Sequence, residues 1–372
     1  MKTRKIALPK GVNEGMPPLE VSSKPLSFFE FWPAWVMYTP VILQWLALSI
    51  KYRSMSLPLI ANPRIPLSGM VGESKVDILD QACDRSYLCE YISTTKNRQL
   101  SNQENAQQAL SRYYQAKLTL PAVVKPDLGC RGAGVRLIEQ EAQLEDYLAE
   151  FPVNARFLLQ ERSLYQAEAG VFYIRYPGEK QGRIISITLK YTPWVVGDGI
   201  KSLKQLILDD ERAGLLPHIY LPRHAARHDD IIPQGEVVRL AFAGSHSRGS
   251  IFRNGNEYIT PALTQALDRF FDGMPDYHYG RLDLKFKDID ELMQGKNFQI
   301  LEVNGASSEA THIWDSRTRF TEAIGVLLFQ YRTLFEIGHL TRQAGHKTPS
   351  LLSLYRAWRE EKSWVLDYPT TD

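Results

Sequence analysis

Three oxygen-bearing side chains in the last third of the chain have the types and spacing of a divalent-cation site. Asp283 lies in the middle of a predicted strand at 280–286, and Glu302 and Asn304 lie two residues apart on the next predicted strand. Because side chains alternate along a strand, Glu302 and Asn304 share one face. If Asp283 lies on an adjacent antiparallel strand, three hard oxygen ligands converge, which suits Mg²⁺ bridging phosphates. The alternative is the solvated face of a β-hairpin.

A glycine-rich loop directly follows a lysine near the end of a predicted strand. Lys125 precedes the sequence DLGCRGAGV, in which Gly129, Gly132 and Gly134 allow tight turns. Such a loop brings backbone N–H groups close to phosphate oxygens, and the lysine adds a fixed positive charge. The pattern matches neither the Walker loop nor the dinucleotide fingerprint. An ordinary glycine-rich hairpin is therefore the competing interpretation.

A third segment could bind the base and ribose of a nucleotide. The apolar run 157–159 ends in Gln160 and Glu161, and Glu168 follows on the next predicted strand. A base can lie against such a strand, with a carboxylate nearby for a ribose hydroxyl. Each acid could equally be a solvated surface group.

The elements that must position these residues predict a mixed α/β (α+β) fold. From about residue 120, short β-rich runs alternate with helical ones, and the last 55 or so residues show the three- and four-residue apolar spacing of helices. We divide the chain into an N-terminal tail with an aromatic helix (1–53), a small α/β region (54–119), a nucleotide- and metal-binding domain (120–315) and C-terminal helices (316–372).

Composition limits the classes of partner. The 372 residues are 44% hydrophobic, and 44 basic residues nearly balance 42 acidic ones. A net charge of +2 provides no field that favours nucleic acid. Three cysteines without CxxC spacing fit a reducing compartment, and the N-terminus lacks a secretory pattern. We therefore expect a cytoplasmic protein.

The aromatic segment that begins at Phe28 leaves three interpretations open. Residues 31–50 carry no charge and include three of the seven tryptophans. Pro33, Pro40 and basic residues on both flanks disfavour a membrane span. A helix lying at the inner face of a membrane, where amphipathic rings are stable, and a buried soluble helix are the other two.

The order of these segments resembles the ATP-grasp superfamily, in particular carboxylate–amine ligases of the D-alanine:D-alanine ligase and cyanophycin synthetase type. The carrying motifs are the strand ending in Lys125, the glycine loop, Leu159-Gln160-Glu161, Asp283 and Glu302-Val303-Asn304. The stretch VVGDGIKSLKQLI at 195–207 is also similar to the VxGDGxxTxxxLI motif of such ligases. The resemblance covers roughly residues 120–315.

The resemblance implies a role for each matched residue. ATP would be bound by Lys125, Gly129, Arg131, Gly132, Gly134, Gln160, Glu161 and Glu168; Mg²⁺, or Mn²⁺ in its place, by Asp283, Glu302 and Asn304; and the transferring phosphoryl group would be steadied by Lys190 with Arg248 or Arg253. The segment 244–254 departs from the usual Arg-x-Asn-x-Ser-x-Gly-Gly motif, so both arginines are candidates, and each could instead form a surface salt bridge.

The implied activity activates a carboxylate as an acyl phosphate and joins it to an amine, releasing ADP and phosphate. The aromatic segment adds the hypothesis that one substrate is lipid-linked. Two alternatives remain: a kinase of the same fold acting on a small molecule or lipid headgroup, and a non-catalytic nucleotide-binding protein.

Overall fold

The computed structural model describes residues 3–22, 26–27, 29–30, 32–129, 132–242 and 244–371. Within these ranges the strands are β1 (Thr3–Ile6), β2 (Leu19–Ser22), β3 (Tyr91–Thr95), β4 (Ala122–Pro126), β5 (Arg136–Ile138), β6 (Arg156–Glu161), β7 (Ala167–Ile174), β8 (Arg183–Tyr191), β9 (Trp194–Val196), β10 (Val237–Arg239), β11 (Ile251–Asn254), β12 (Tyr279–Phe286) and β13 (Phe298–Asn304). The α-helices are α1 (Ala34–Tyr52), α2 (Lys75–Leu79), α3 (Asn102–Gln115), α4 (Glu141–Glu150), α5 (Leu203–Asp209), α6 (Pro217–Tyr220), α7 (Pro261–Asp272), α8 (Ile289–Met293), α9 (Phe320–Gln343) and α10 (Leu351–Leu366).

Two antiparallel sheets form the centre of the molecule. The four-stranded sheet has the order β3-β6-β4-β5, and the five-stranded sheet has the order β11-β8-β7-β12-β13. Strands β1 and β2 form one short ribbon, and β9 and β10 form another. The mixed helix-and-sheet class predicted from the sequence is confirmed.

Each large sheet is covered by helices that bury its apolar face. Helices α3 and α4 contribute Tyr113 and Leu144 to a core with Phe157 of the four-stranded sheet. Helix α7 packs Phe270 onto the core that holds Leu282 of the five-stranded sheet. Burial of such side chains is the main stabilising term in a fold of this size, because apolar area leaves water.

Local sequence signals set the helix starts. The side chain of Ser101 accepts a hydrogen bond from the N–H of Glu104, whose own side chain bonds back to Ser101, so a capping box begins α3. The side chain of Thr260 caps α7 by accepting a hydrogen bond from the N–H of Leu263, and Pro261 follows at the first helical position.

The predicted region 54–119 does not form a separate sheet. Its strand β3 pairs with β6 of the following region, so the boundary placed at residue 119 lies within one sheet. The four-region division remains a prediction.

The aromatic segment forms α1, which packs against α9. Met37 and Val41 share a cluster with Leu327, and Leu48 packs in a neighbouring cluster with Phe335. Among the helices of the described residues, none combines the length and the hydropathy that crossing a membrane requires. Phe28 and Phe31 lie outside the described residues.

Candidate active site

A cavity of about 1010 Å³ is lined by residues of both large sheets. The sequence-predicted residues that line it are Lys125, Gly129, Gly132, Gln160, Glu161, Glu168, Lys190, Asp283, Glu302 and Asn304. Gly134, Arg248 and Arg253 are not among its lining residues. Arg131 lies outside the described residues. The structure thus brings most of the predicted set to one place.

Lys125 and Gln160 meet where the four-stranded sheet approaches β13. The Lys125 Nζ donates to Gln160 Oε1 at 2.6 Å, and Gln160 Nε2 donates to the carbonyl of Cys89 at 3.1 Å. Burial lowers the pKa of Lys125, although the nearby charge of Glu302 acts in the opposite direction. The ammonium group of Lys125 is therefore fixed in position. Its positive charge is only partly balanced by the nearby charge of Glu302.

The carboxylate of Glu161 is directed to the backbone. Its Oε1 accepts a hydrogen bond from the N–H of Glu90 at 2.9 Å, and its own N–H donates to the carbonyl of Glu90 at 2.8 Å. Glu161 also lines the wall of the cavity.

The glycine loop adopts a conformation that requires glycine. Gly132 and Gly134 have φ values of +71° and +67°, and a Cβ on Gly134 would lie 2.7 Å from Pro126 Cγ. Hydrogen bonds from two other segments hold the loop in place. Lys75 Nζ donates to the carbonyl of Gly129 at 2.6 Å, and Thr371 Oγ1 accepts from the Gly134 N–H at 3.0 Å.

Thr371 belongs to a segment after α10 that lies on the loop. Its hydroxyl also donates to the Gly132 carbonyl at 2.7 Å, and Arg136 Nε donates to the carbonyl of Thr370 at 2.7 Å. The ring of Tyr368 stacks on Phe151, with centroids 5.6 Å apart. The last described residues therefore help to fix the conformation of the loop.

At the centre of the five-stranded sheet, two cations hold Asp283. Arg281 Nε lies 2.9 Å from Asp283 Oδ1, and Lys190 Nζ lies 3.0 Å from the same oxygen. Lys190 Nζ also lies 3.2 Å from Glu168 Oε1, and Lys285 Nζ lies 3.6 Å from Glu168 Oε2. Burial opposes the charge of Asp283, but Arg281 and Lys190 outweigh it and hold the pKa well below its usual range.

Glu302 lies directly opposite Asp283 in the β12–β13 register, as a metal site would require. With its amide nitrogen turned toward the carboxylates, Asn304 donates to Glu302 Oε1 at 2.8 Å and to Glu73 Oε1 at 3.3 Å. Glu73 Oε2 accepts from the Gly305 N–H at 3.0 Å. Burial, with the negative charge of Glu302 adding to it, raises the pKa of Glu73 to about 8.

These groups fit a hard divalent cation by their chemistry, since two carboxylates and an amide side chain, which carry hard oxygen donors, line one cavity. None of the ion pairs between described residues involves Glu302 or Glu73. No cluster of three or more His, Cys, Asp and Glu side chains with metal-binding geometry occurs in the described part of the chain. The metal role of Asp283, Glu302 and Asn304 therefore remains a prediction.

Arg253 lies on the opposite face of β11 from the cavity. In the β11–β8 register Phe252 pairs with Lys190, and Arg253 pairs with the core residue Leu189. Cross-strand partners share a face, so Phe252 faces the cavity and Arg253 does not. Arg253 Nε instead donates to the Glu20 carbonyl at 2.8 Å.

Arg248 ends a short 3₁₀ turn, His246–Arg248, and its carbonyl accepts a hydrogen bond from Arg223. Burial lowers the pKa of Arg248. The structure therefore does not bring either predicted arginine to Asp283. The arginine that it places there, beside Lys190, is Arg281.

Several cavity residues were missed from the sequence. Arg281 was detectable, because it lies two positions before Asp283 on one strand and so shares its face. Lys75 and Glu73 precede or begin α2, far from the motifs in sequence, and no spacing signal pointed to them. Glu309 was also missed: Trp314 Nε1 donates to its Oε2 at 3.4 Å, and burial raises its pKa to about 7.

Comparison with known proteins gives structural matches only. No protein-family model and no curated protein matches the sequence. Similar solved structures are a bifunctional glutathione synthetase from Pasteurella multocida (15% identity, TM-score 0.34), the VanG D-Ala:D-Ser ligase from Enterococcus faecalis (11%, 0.39) and a D-alanine–D-alanine ligase from Bacillus anthracis (12%, 0.42). The matched regions cover 69%, 72% and 76% of this chain, respectively.

The chain spans only part of these proteins: 36% of the glutathione synthetase, 64% of the D-Ala:D-Ser ligase and 72% of the D-alanine–D-alanine ligase. The ligase type named above from the sequence motifs is thus also among the structures to which this chain is similar.

Proposed function

We propose that this protein is an ATP-dependent carboxylate–amine ligase, which activates a carboxylate as an acyl phosphate and passes the acyl group to an amine. One observation carries the proposal. A single cavity brings together the cations Lys125, Lys190 and Arg281 and the oxygen donors of Asp283 and Glu302. Phosphoryl transfer is catalysed mainly by positioning and by such charge stabilisation.

The nucleotide half of the proposal uses the four-stranded sheet. Lys125 would neutralise phosphate charge, and the loop through Gly132 would cover the phosphates. Gln160 and Glu161 would face the base and the ribose, as the wall formed by β6 allows. These roles follow from the residues' place in the cavity and from the sequence resemblance.

Asp283, Glu302 and Asn304 would hold Mg²⁺, with Mn²⁺ as a substitute. The bound ion would supply charge neutralisation for the β- and γ-phosphates. In the structure Lys190 pairs with both Asp283 and Glu168, and Arg281 pairs with Asp283. Binding of ATP would let these two cations turn to phosphate oxygens while Asp283 turns to the metal.

The proposed chemistry has two steps. A carboxylate oxygen of the substrate attacks the γ-phosphorus in line, the bond to the β-phosphate oxygen breaks, and ADP leaves. The nitrogen of a neutral amine then attacks the acyl carbon, and phosphate leaves with the electron pair of the C–O bond. Lys190 and Arg281 would stabilise the negative charge on the transferring group and on the tetrahedral oxygen. Glu309, with its pKa near 7, would accept the proton that the amine loses.

The test is ADP release with a panel of acids and amines, with hydroxylamine supplied to trap the acyl phosphate as a hydroxamate. Glu302→Gln removes one proposed metal ligand and is expected to lower kcat/KM about 10²- to 10³-fold. Glu360→Gln on the exposed face of α10 is the matched control and should retain wild-type values. ADP formation without a hydroxamate, from substrates that carry only hydroxyl groups, would favour the kinase. ATP binding without any turnover would favour the non-catalytic alternative.

We further propose that α1 binds an anionic membrane surface. Its side facing away from α9 carries an exposed apolar stripe: Trp35, Ile42, Leu43, Leu46 and Ile50. These positions fall within about 100° of one another on a helical wheel, the width of an amphipathic face. Exposed Lys51 and Arg53 follow at one end of the stripe, where cations would meet anionic headgroups.

Vesicle flotation tests this surface. Leu43→Ser with Ile50→Ser removes two of its most exposed apolar side chains, which are 64% and 80% accessible. We expect binding to phosphatidylglycerol-containing vesicles to fall about tenfold or more. The control is Leu351→Ser with Leu352→Ser on α10. Equal flotation of wild type and the α1 variant would end the membrane proposal and leave the ligase proposal intact.

A further inference from the structure

One end of the cavity is walled by aromatic and apolar side chains rather than by charges. They come from three parts of the chain that are distant in sequence: the start of α1, the segment 246–252 and the turn before α9. The members of this aromatic wall are Trp32, Met37, Tyr38, His246, Phe252 and Trp314.

Three rings of the aromatic wall, those of His246, Phe252 and Trp314, are packed against one another. The indole of Trp314 stacks on the imidazole of His246, with centroids 5.4 Å apart and planes inclined by 23°. The ring of Phe252 lies 5.3 Å from that of His246. Met37 and Phe252 are almost fully buried, at 1% and 4% exposure. Offset and tilted ring pairs of this kind are favourable beyond simple area burial.

A buried carboxylate fixes the orientation of His246. Glu30 Oε1 lies 2.8 Å from His246 Nε2 and 2.8 Å from an Nη of Arg212, and the Glu30 side chain is 1% exposed. Burial alone would raise the pKa of Glu30, but the hydrogen bond from His246 and the charge of Arg212 lower it to about 2. The imidazole is therefore held by its edge, which directs its face to Trp314.

The aromatic wall adjoins the charged half of the cavity. Phe252 is the cross-strand partner of Lys190, one inter-strand spacing away. On the other side, Trp314 donates to the carboxylate of Glu309, whose backbone carbonyl accepts from Arg281 Nη1 at 3.2 Å. A molecule that reacts beside Lys190 and Arg281 would thus extend its substituent along the rings.

We infer that the aromatic wall is a subsite for an aromatic ring carried by one of the two substrates, the carboxylic acid or the amine. This inference rests on the proposed function and specifies its substrate class. A ring is favoured over a polar substituent because the subsite offers faces of rings and few hydrogen-bond partners, and an unpaired polar group buried there would lose its hydration.

Calorimetry with the full chain, Mg²⁺ and a non-hydrolysable ATP analogue tests the inference. Two matched pairs of probes are used: propionate with 3-phenylpropionate, and ethylamine with phenethylamine. We expect one pair to show about 30-fold tighter binding of the member with the ring, from the burial of one phenyl group. The pair that responds identifies the substrate that carries the ring.

Two variants locate the effect. Phe252→Ala should reduce the ratio of the Kd values of the two paired probes about tenfold. Phe320→Ala removes a ring that packs behind Trp32, at 5.5 Å between centroids, and should keep the ratio. A ratio below about tenfold for both pairs in the wild type would overturn the inference. Binding of the ATP analogue is recorded in the same titrations, and its absence would instead count against the proposed function.

Discussion

Replacing Lys190 by methionine should destabilise the protein more than any surface charge change. The side chain of Lys190 is 4% exposed, and its Nζ lies 3.0 Å from Asp283 Oδ1 and 3.2 Å from Glu168 Oε1. Methionine has a similar length and shape but no charge. The variant therefore leaves the two carboxylates in place with one neutralising cation fewer.

The size of the effect can be bounded from the geometry. With an effective dielectric constant near 20, a unit-charge pair at this separation attracts by about 5 kcal/mol. Part of that is retained, because Arg281 still pairs with Asp283 and Lys285 still lies near Glu168. Removing one partner of a buried pair costs about 3–5 kcal/mol, so we expect the lower end, about 3 kcal/mol. With an unfolding entropy of about 2.1 cal/mol/K per residue, Tm would fall by about 4 °C.

Thermal unfolding at pH 7, with and without MgATP, is the assay. The control is Lys287→Met. The ammonium group of Lys287 forms an exposed ion pair with Glu291, so its loss should change Tm much less. MgATP should raise Tm of the wild type and of the control but much less that of Lys190→Met. Equal Tm values for the two variants would refute the view that Lys190 neutralises a buried pair of carboxylates.

Further outcomes are expected at other places. Glu30 has a folded-state pKa of about 2 against 4.5 unfolded, so it contributes about 3 kcal/mol of stability above pH 4.5 that is lost as pH falls toward 2. The free energy of unfolding of Glu30→Gln should therefore decrease less steeply than that of the wild type as the pH falls from 4.5 to 2. An equal slope in both proteins would contradict this role of Glu30. Thr371→Val removes a hydrogen bond to the glycine loop, so amide exchange at Gly134 should accelerate about fivefold, from about 1 kcal/mol. Thr370→Val is the control and should leave the exchange rate of the Gly134 amide unchanged. Equal exchange rates in the two variants would contradict a stabilising hydrogen bond from Thr371 to the loop.

The relative placement of the three oxygen-bearing side chains could be predicted because it depends on period-two alternation along single strands. Glu302 and Asn304 lie on one face of β13, and Asp283 lies opposite Glu302 on the neighbouring strand. Hairpin-like proximity in sequence and an acid at a fixed position in each strand are local signals. Such signals can be interpreted without knowledge of the rest of the fold. The oxygen donors could therefore be placed from the sequence.

Arg253 shows the limit of that reasoning. Whether a residue of a short strand faces the cavity or the core depends on its register with the partner strand, and β11 is only four residues long. The segment 244–254 contains no alternation long enough to set this register. The sequence therefore left open which face of β11 carries Arg253.

Lys75, Glu73 and Thr371 could not be found for a different reason. They reach the cavity or its loop from segments that are 50 or more residues away from the motifs. Their proximity is a product of the packing of α2 and of the segment after α10, which local patterns do not encode. The aromatic helix α1 was ambiguous for the same reason, since packing on α9 buries only one of its sides.

The edge position of β11 in its sheet means that a small change in sequence could alter which of its side chains faces the cavity. Among the described strands β11 has a neighbour on one side only, so deleting one residue ahead of it would disturb a single ladder of backbone bonds. Such a slip would exchange the phenyl group of Phe252 for the guanidinium of Arg253 beside Lys190. One deletion could then convert a pocket suited to rings into one suited to anions, without altering any residue proposed to bind the nucleotide.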